Sequence, residues 1–170
     1  SSLMTQINRS TRSKVFSEIS KIVEKESLNL DQMIHDFVSY TIAETGADRG
    51  ILLTVNPDLK FRYCLDRQGN NSATADNFNL SVPMQAICTR KSMLLTEAYN
   101  LDEEDFEVNN LKAHILRSII CVPLITPNEA IGALYLDSPT LFRTFRKHDL
   151  VLAELACSHM AIHMAGNDIP

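Results

Sequence analysis

Two apolar runs in the last third of the chain predict a β-hairpin. Residues 118–125 are rich in β-branched side chains, residues 130–137 form a second apolar run, and Pro127 and Asn128 between them suit the centre of a tight turn. Neither run alternates between apolar and polar positions, which is typical of strands whose sheet is covered on both faces. A further apolar stretch at residues 148–164 has the length of a helix.

The first fifty residues predict two amphipathic helices. In the first, apolar residues recur at helical spacing over residues 15–23. In the second, Asn29 is placed to cap the amino-terminal end, Leu28 to contact Met33 as a hydrophobic staple, and Gly46 to end the helix.

The remaining pattern completes an α+β fold with six strands. Pro57 and Asp58 suit a turn between the first two strands, and Ser81 can cap a short helix that extends to Arg90. The predicted strands are residues 49–55, 60–65, 78–81, 93–96, 118–125 and 130–137.

Composition and charge narrow the classes of function. The chain of 170 residues carries a net charge of −5, from 16 Lys and Arg against 21 Asp and Glu, and it has no basic block. We therefore expect no direct contact with nucleic acid or with an anionic membrane. No apolar run has transmembrane length and the amino terminus lacks the apolar centre of a signal peptide, so we expect a cytoplasmic protein.

The sequence of the predicted carboxyl-terminal hairpin and helix resembles that of a GAF domain, of the kind found in bacterial signalling proteins and transcriptional regulators. The resemblance is carried by LRSIICVPLITPNEAIGALYLDSPTLFRTFRKHD, which begins at Leu116, and by ETGADRGILLTV in the first half. It covers nearly the whole chain and implies a GAF domain over residues 14–165, a partly helical or disordered extension at residues 1–13, and a tail at residues 166–170.

The resemblance implies both an architecture and a role. A GAF domain has an antiparallel six-stranded sheet with the first, second and last helices on one face, while short helices and loops on the other face enclose a small-molecule pocket. The role is that of a regulatory sensory domain in a larger protein, which passes its signal to an output domain in the same chain. That output domain is a transcriptional activator ATPase, a kinase or a nucleotide cyclase.

Carried over segment by segment, the resemblance places a pocket between residues 81–90, residues 106–115 and one face of residues 118–122. The ligand is unknown, and no cofactor is assigned. The candidate polar contacts are Arg90, His114, Arg117 and Ser118.

The resemblance also implies a homodimer formed through the terminal helices. The last helix is apolar around more of its circumference than one core-facing stripe needs, so a partner subunit is one way to cover it and its own core is the other. The candidate interface residues are Ile19, Leu152, Leu155, His159 and Ile162. A second hypothesis stays open, in which the domain is a ligand-free dimerisation scaffold whose pocket is filled by its own side chains, such as Phe61, Phe78, Phe106 or Leu111.

The start of the last helix departs from the GAF pattern. Arg146 stands where relatives typically have a capping Ser or Thr, and Lys147 and His148 add positive charge at the positive end of the helix dipole. Asp149 offsets this charge in part. We therefore expect the start of this helix to be shifted or weakly held.

No motif predicts catalysis or a metal site. Cys64, Cys88, Cys121 and Cys157 are widely spaced among apolar residues, so we expect buried free thiols without disulfides, zinc or an activated nucleophile. His159 and His163 have the spacing of two metal ligands but no evident third ligand. The acidic run at residues 102–105 lacks the alternating ligands of a calcium loop. The residue sets of cyclic-nucleotide-binding and bilin-binding GAF domains cannot be assembled here.

Overall fold

The computed structural model describes residues 9–55, 59–71, 78–98 and 117–165, which form four helices and five strands. Three features of the sequence analysis lie outside these ranges: the turn at Pro57 and Asp58, the acidic run at residues 102–105, and the pocket segment at residues 106–115 with His114. In chain order the elements are α1 (Arg9–Lys25), α2 (Leu30–Thr45), β1 (Arg49–Val55), β2 (Leu59–Asp66), α3 (Ser81–Thr89), β3 (Met93–Ala98), β4 (Arg117–Ile125), β5 (Ala130–Pro139) and α4 (Lys147–Ala165).

The strands form one antiparallel sheet in the order β2-β1-β5-β4-β3. The predicted α+β class and antiparallel sheet are confirmed, but the described residues contribute five strands rather than six. The predicted strand at residues 78–81 is wrong, because these residues lead directly into α3. The predicted turn of the β4–β5 hairpin is confirmed, since Thr126 N donates to Glu129 O at 2.8 Å around Pro127 and Asn128.

Both faces of the sheet are covered, as the unbroken apolar runs predict. On one face, here called the α4 face, α2 packs on β1 and β2 while α4 packs on β4. The other face, the α3 face, is covered by α3 through the buried side chains of Val82 and Ala86. Helix α1 packs on α4 and α2, so it forms an outer layer over the α4 face.

Successive side chains of a strand point to opposite faces of the sheet, so each residue of β4 can be assigned to the α4 face or to the α3 face. Ile120, Val122 and Leu124 belong to the core of the α4 face. Ile119 and Cys121 belong to the core of the α3 face. By the same alternation, Arg117 is on the α3 face and Ser118 is on the α4 face.

The predicted ends of α2 are confirmed, whereas two other capping predictions are wrong. Asn29 Oδ1 accepts a hydrogen bond from Gln32 N at 3.1 Å, and Gly46 ends the helix with φ at 73°. Leu28 is fully exposed, so it forms no staple with Met33. Ser81 does not cap α3; instead Asn79 Oδ1 accepts from Ser81 N at 2.9 Å.

The start of α4 is firmly held, so the expectation of a weakly held start is wrong. Asp149 is buried in the first turn and accepts from Arg146 N at 2.9 Å, which satisfies a backbone donor that the helix itself leaves unpaired. Arg143 Nη2 donates to both Asp149 oxygens, at 3.0 and 3.2 Å. Phe145 N donates to Ser118 Oγ at 2.9 Å, which ties this turn to β4.

We expect Asp149→Ala to lower the free energy of unfolding by about 2 kcal/mol, because it removes the acceptor of a helix-start N–H and the buried partner of Arg143. Urea denaturation measures the loss. Asp31→Ala is the matched control, since Asp31 is in the first turn of α2, is exposed, and has no hydrogen bond to a described residue. Its expected cost is within about 0.5 kcal/mol. Equal losses in the two variants would contradict the capping role of Asp149.

Candidate functional site

The structure separates the three predicted ligand contacts that it describes, Arg90, Arg117 and Ser118. Arg117 is on the α3 face, and His114 lies outside the described residues. Ser118 is fully buried on the α4 face, where it accepts from Phe145 N and donates to Leu95 O at 3.3 Å, so it is a structural residue and its assignment to the pocket is wrong. Arg90 ends α3 and lines a groove with residues of α4, on the side of the sheet opposite Arg117.

Arg117 belongs to a group of four polar residues, here called the Asp137 cluster, which also contains Arg49 and Tyr135. Arg49 forms a two-pronged ion pair with Asp137, from Nε to Oδ1 and from Nη2 to Oδ2, each at 2.9 Å. Arg117 Nη1 donates to Oδ1 at 3.1 Å, and Tyr135 OH donates to Oδ2 at 2.7 Å. Three strands thus contribute to one site on the α3 face.

The register of the strands brings the cluster together. Arg49 begins β1 and is paired directly with Asp137 near the end of β5. Asp137 is paired on its other side with Ile119 of β4, next but one to Arg117. Because residues two apart on a strand share a face, all four side chains converge on the α3 face.

The charged side chains of the Asp137 cluster are largely shielded from solvent, which strengthens their electrostatic interactions. The Asp137 side chain is fully buried, and the side chains of Arg49 and Arg117 are only 12% and 14% exposed. Burial alone lowers the pKa of Arg49, but the hydrogen bond and the negative charge of Asp137 outweigh it and the pKa is raised. Burial and the neighbouring Asp137 carboxylate raise the pKa of Tyr135 well above its usual range, so Tyr135 remains a neutral donor. The cluster therefore holds two cations and one anion.

Apolar side chains surround the cluster on the α3 face. The ring of Phe78 meets that of Tyr135 edge to face, with centroids 4.6 Å apart and planes at 89°. Val82 and Ala86 of α3 complete the contact with the sheet. A buried charged group beside an apolar wall is the usual composition of a site that orients a small ligand.

The sequence analysis did not identify three members of the cluster, namely Arg49, Tyr135 and Asp137. Asp137 ends an apolar run and Arg49 begins another, and a charge at the edge of a buried strand is the only available signal. Their contact joins residues that are 88 positions apart, so it depends on a strand pairing that no local pattern reveals.

The predicted burial of the cysteines is confirmed with one exception. Cys64, Cys121 and Cys157 are buried, but Cys88 is exposed on α3, so its predicted burial is wrong. Burial raises the pKa of Cys121 to about 12 and also raises that of Cys157. Since the thiolate is the reactive form of cysteine, these two thiols are poor nucleophiles.

The predicted interface residues divide into two groups. Ile19, Leu152 and Leu155 are buried in the chain's own core, where α4 is enclosed by α1, α2 and β4, so they are not available to a partner. Ile162 is 67% exposed, and His159 is partly exposed.

The exposed members continue into a surface of α1 and α4. Phe16 of α1 is 37% exposed and its ring is 5.2 Å from that of His159, which in turn is 5.4 Å from the ring of His163. Ser20 Oγ lies 3.1 Å from His159 Nε2, which holds the imidazole against α1. We call Phe16, His159, Ile162 and His163 the terminal-helix patch.

Two properties of the described residues bear on other functions. In that part of the chain, no three side chains of His, Cys, Asp or Glu come together in a way that could hold a metal ion. None of the described helices is both long and apolar enough to cross a membrane.

Solved structures with the same fold are GAF domains and related proteins. The GAF domain of a phosphoenolpyruvate-protein phosphotransferase from Coxiella burnetii has 13% identity and a TM-score of 0.66, with 94% of this chain and 96% of that chain covered. The A. aeolicus nlh2 GAF domain in an inactive state has 9% identity and a TM-score of 0.65, with 93% and 98% covered. A type II free methionine-R-sulfoxide reductase from Thermoplasma acidophilum has 15% identity and a TM-score of 0.56, with 78% and 90% covered.

Because these sequence identities are low, the likeness to solved structures establishes the fold alone. No curated protein sequence matches the chain significantly. The model of the GAF domain family matches residues 29–164, which span α2 to α4 and contain the whole sheet and the Asp137 cluster. The chain belongs to the GAF domain family.

Proposed function

We propose that this chain is a regulatory GAF domain that binds a small anionic molecule on the α3 face and passes its state through the terminal helices to an output domain. The observation that carries the proposal is the Asp137 cluster. The proposed role is sensory and not catalytic, which the raised pKa values of Cys121 and Cys157 support. A cytoplasmic location, and an activator ATPase, kinase or cyclase as output domain, remain predictions from the family resemblance.

The hydrogen bonds of Asp137 support the proposal of a ligand at Arg117. A carboxylate offers about four acceptor positions, and Asp137 uses four, towards Arg49 twice, Arg117 once and Tyr135 once. Asp137 is therefore saturated. In the described residues Arg117 donates through Nη1 alone, so its remaining N–H groups can serve another acceptor.

The charge of the cluster indicates which kind of acceptor group would best pair with Arg117. Two guanidinium groups share one carboxylate, and buried charge is costly unless it is balanced. A carboxylate or phosphate group of a ligand would balance the second guanidinium and match its planar set of donors. We therefore infer an anionic metabolite, held by Arg117 and positioned by Asp137.

One observation favours the alternative of a ligand-free scaffold. Phe78 packs on Tyr135, so a side chain of the domain itself covers part of the α3 face beside the cluster. Phe78 is one of the residues that the scaffold hypothesis uses to fill the pocket. The two functions differ in whether Arg117 ever meets a ligand.

We expect Arg117→Gln to abolish ligand binding while leaving the domain folded, because Arg49 still pairs with Asp137 through two hydrogen bonds. Native mass spectrometry of the purified protein, compared with its denatured mass, should detect a small bound molecule in the wild type and not in the variant. A thermal-shift screen of carboxylate and phosphate metabolites is the second readout. A ligand at a hundred times its Kd stabilises the wild type by about 2.7 kcal/mol.

Arg12→Gln is the matched control, since Arg12 is exposed on α1 and remote from the α3 face. It should retain both the bound mass and the thermal shift. A wild type that is bare and unmoved by every compound would reject the sensor in favour of the scaffold. A shift of equal size in Arg117→Gln would reject the Asp137 cluster as the site of that ligand.

We further propose that the domain is a homodimer that associates through the terminal-helix patch. Ile162 and Phe16 expose apolar surface beside two histidines on the two helices at the ends of the domain. Apolar residues clustered on one face of a helix pair favour contact with another protein surface. Burial of Ile19, Leu152 and Leu155 leaves this patch as the part of the predicted interface that a partner can reach.

We expect Ile162→Glu to convert the dimer to a monomer, because it places a charge in the centre of the patch. Light scattering coupled to size exclusion measures the mass. Leu141→Glu is the control, since Leu141 is 92% exposed in the β5–α4 loop and lies outside the patch. Leu155→Glu is unsuitable because Leu155 is only 2% exposed in the core. An unchanged mass for Ile162→Glu, or a monomeric wild type, would contradict this interface.

A further inference from the structure

A groove on the α4 face has no role in the function proposed above. It has a volume of about 460 Å³ and lies where the turn between α3 and β3 meets β4 and α4. Its charged lining residues are Arg90, Lys91 and Glu154, and its apolar ones include Val122, Ile125 and Leu150. Because Val122 and Leu150 belong to the core of the α4 face, the sheet separates this groove from the Asp137 cluster.

The backbone at Arg90 is unusual. Arg90 ends α3 with φ at 56°, and it is the one residue other than glycine with a positive φ in the described part of the chain. This left-handed conformation is costly for any residue with a Cβ atom, and glycine is the usual choice at such a helix end. A strained arginine at the mouth of a groove suggests that its side chain is retained for what it binds.

Glu154 faces the same groove from α4. It is half-buried, and burial raises the pKa of its carboxyl group. Among the described residues, no ion pair joins Glu154 to Arg90 or Lys91. The groove therefore holds one carboxylate and two cations, and neither cation forms an ion pair with the carboxylate.

We propose that this groove binds a free α-amino acid with an apolar side chain. The ligand's carboxylate lies against Arg90 and Lys91, and its ammonium group lies against Glu154. Its side chain covers Ile125, which is 38% exposed, and the partly exposed Leu150. The volume is in the range of small-ligand sites, and the two charges of the ligand complement charged groups that form no ion pair with each other in the described part of the chain.

The first experiment is isothermal titration calorimetry of the chain with L-leucine. We expect saturable binding. Two matched probes each lack one charge: 4-methylpentanoate has no ammonium group and 3-methylbutylamine has no carboxylate. Each should bind about tenfold more weakly than leucine or worse, because it loses a charge-assisted contact.

Two variants test the residues without threatening the fold. Arg90→Gly places glycine in the left-handed conformation, so its melting temperature should equal or exceed that of the wild type while leucine affinity falls about tenfold or more. Glu154→Gln removes a half-buried charge and should weaken leucine binding to a similar extent. A purely structural role for Arg90 would instead lower the melting temperature.

Arg117→Gln separates this inference from the proposed function, since Arg117 is on the other face of the sheet. We expect it to bind leucine as the wild type does. Absence of saturable heat with leucine, equal binding of the one-charge probes, or full affinity in Arg90→Gly and Glu154→Gln would each overturn the proposal. Loss of leucine binding in Arg117→Gln alone would place the amino acid at the Asp137 cluster and thereby overturn the groove as its site.

Discussion

The buried carboxylate of Asp137 is the constraint on which the polar side of this sheet depends. It accepts hydrogen bonds from the start of β1, the start of β4 and its own strand, and its backbone carbonyl accepts from Asp48 N at 2.9 Å. Without it, both guanidinium groups would lose the buried carboxylate that pairs with them, and breaking a buried ion pair in this way costs about 3–5 kcal/mol. The same four bonds orient Arg117 and use every acceptor position of the carboxylate. The stability of this end of the sheet and the proposed binding of an anion therefore rest on the same carboxylate.

Local patterns determined the parts of the fold that depend on neighbouring residues. Asn29 and Gly46 mark the ends of α2 because the caps need particular side chains or a positive φ, and these requirements can be read within a few positions. The β4–β5 hairpin is equally local. Ser118 shows the limit, because β4 is apolar nearly throughout and a strand without alternation does not reveal which face each residue takes. The Arg49–Asp137 contact could not be predicted for a related reason, because it depends on the pairing of two strands that are far apart in the sequence.

Helix α4 shows how one sequence feature can have two structural causes. Its apolar character around most of its circumference is compatible with a partner subunit, but the sheet, α2 and α1 together enclose the helix, and that enclosure explains Leu152 and Leu155. Counting apolar positions cannot distinguish a neighbour in the same chain from one in another chain. The exposure of each side chain does distinguish them, and among the apolar residues of the predicted interface only Ile162 is exposed enough to contact a partner. The position of α1, which packs on α4 and α2, accounts for this burial of α4.

The link between the two faces of the sheet explains how the proposed sensor could signal. Arg117 and Ser118 are consecutive in β4 and point to opposite faces, so a movement of the backbone at Arg117 is also a movement of Ser118. Ser118 Oγ holds Phe145 N, four residues before Asp149, whose carboxylate fixes the first turn of α4. An anion that binds the remaining N–H groups of Arg117 and shifts the backbone there would thus act on the start of the helix that carries His159 and Ile162. Tightly packed cores pass such displacements on rather than absorb them, so α4 would move as a unit. The polar contacts at Ser118 and Asp149 are therefore the points at which ligand binding on one face and helix position on the other would be coupled.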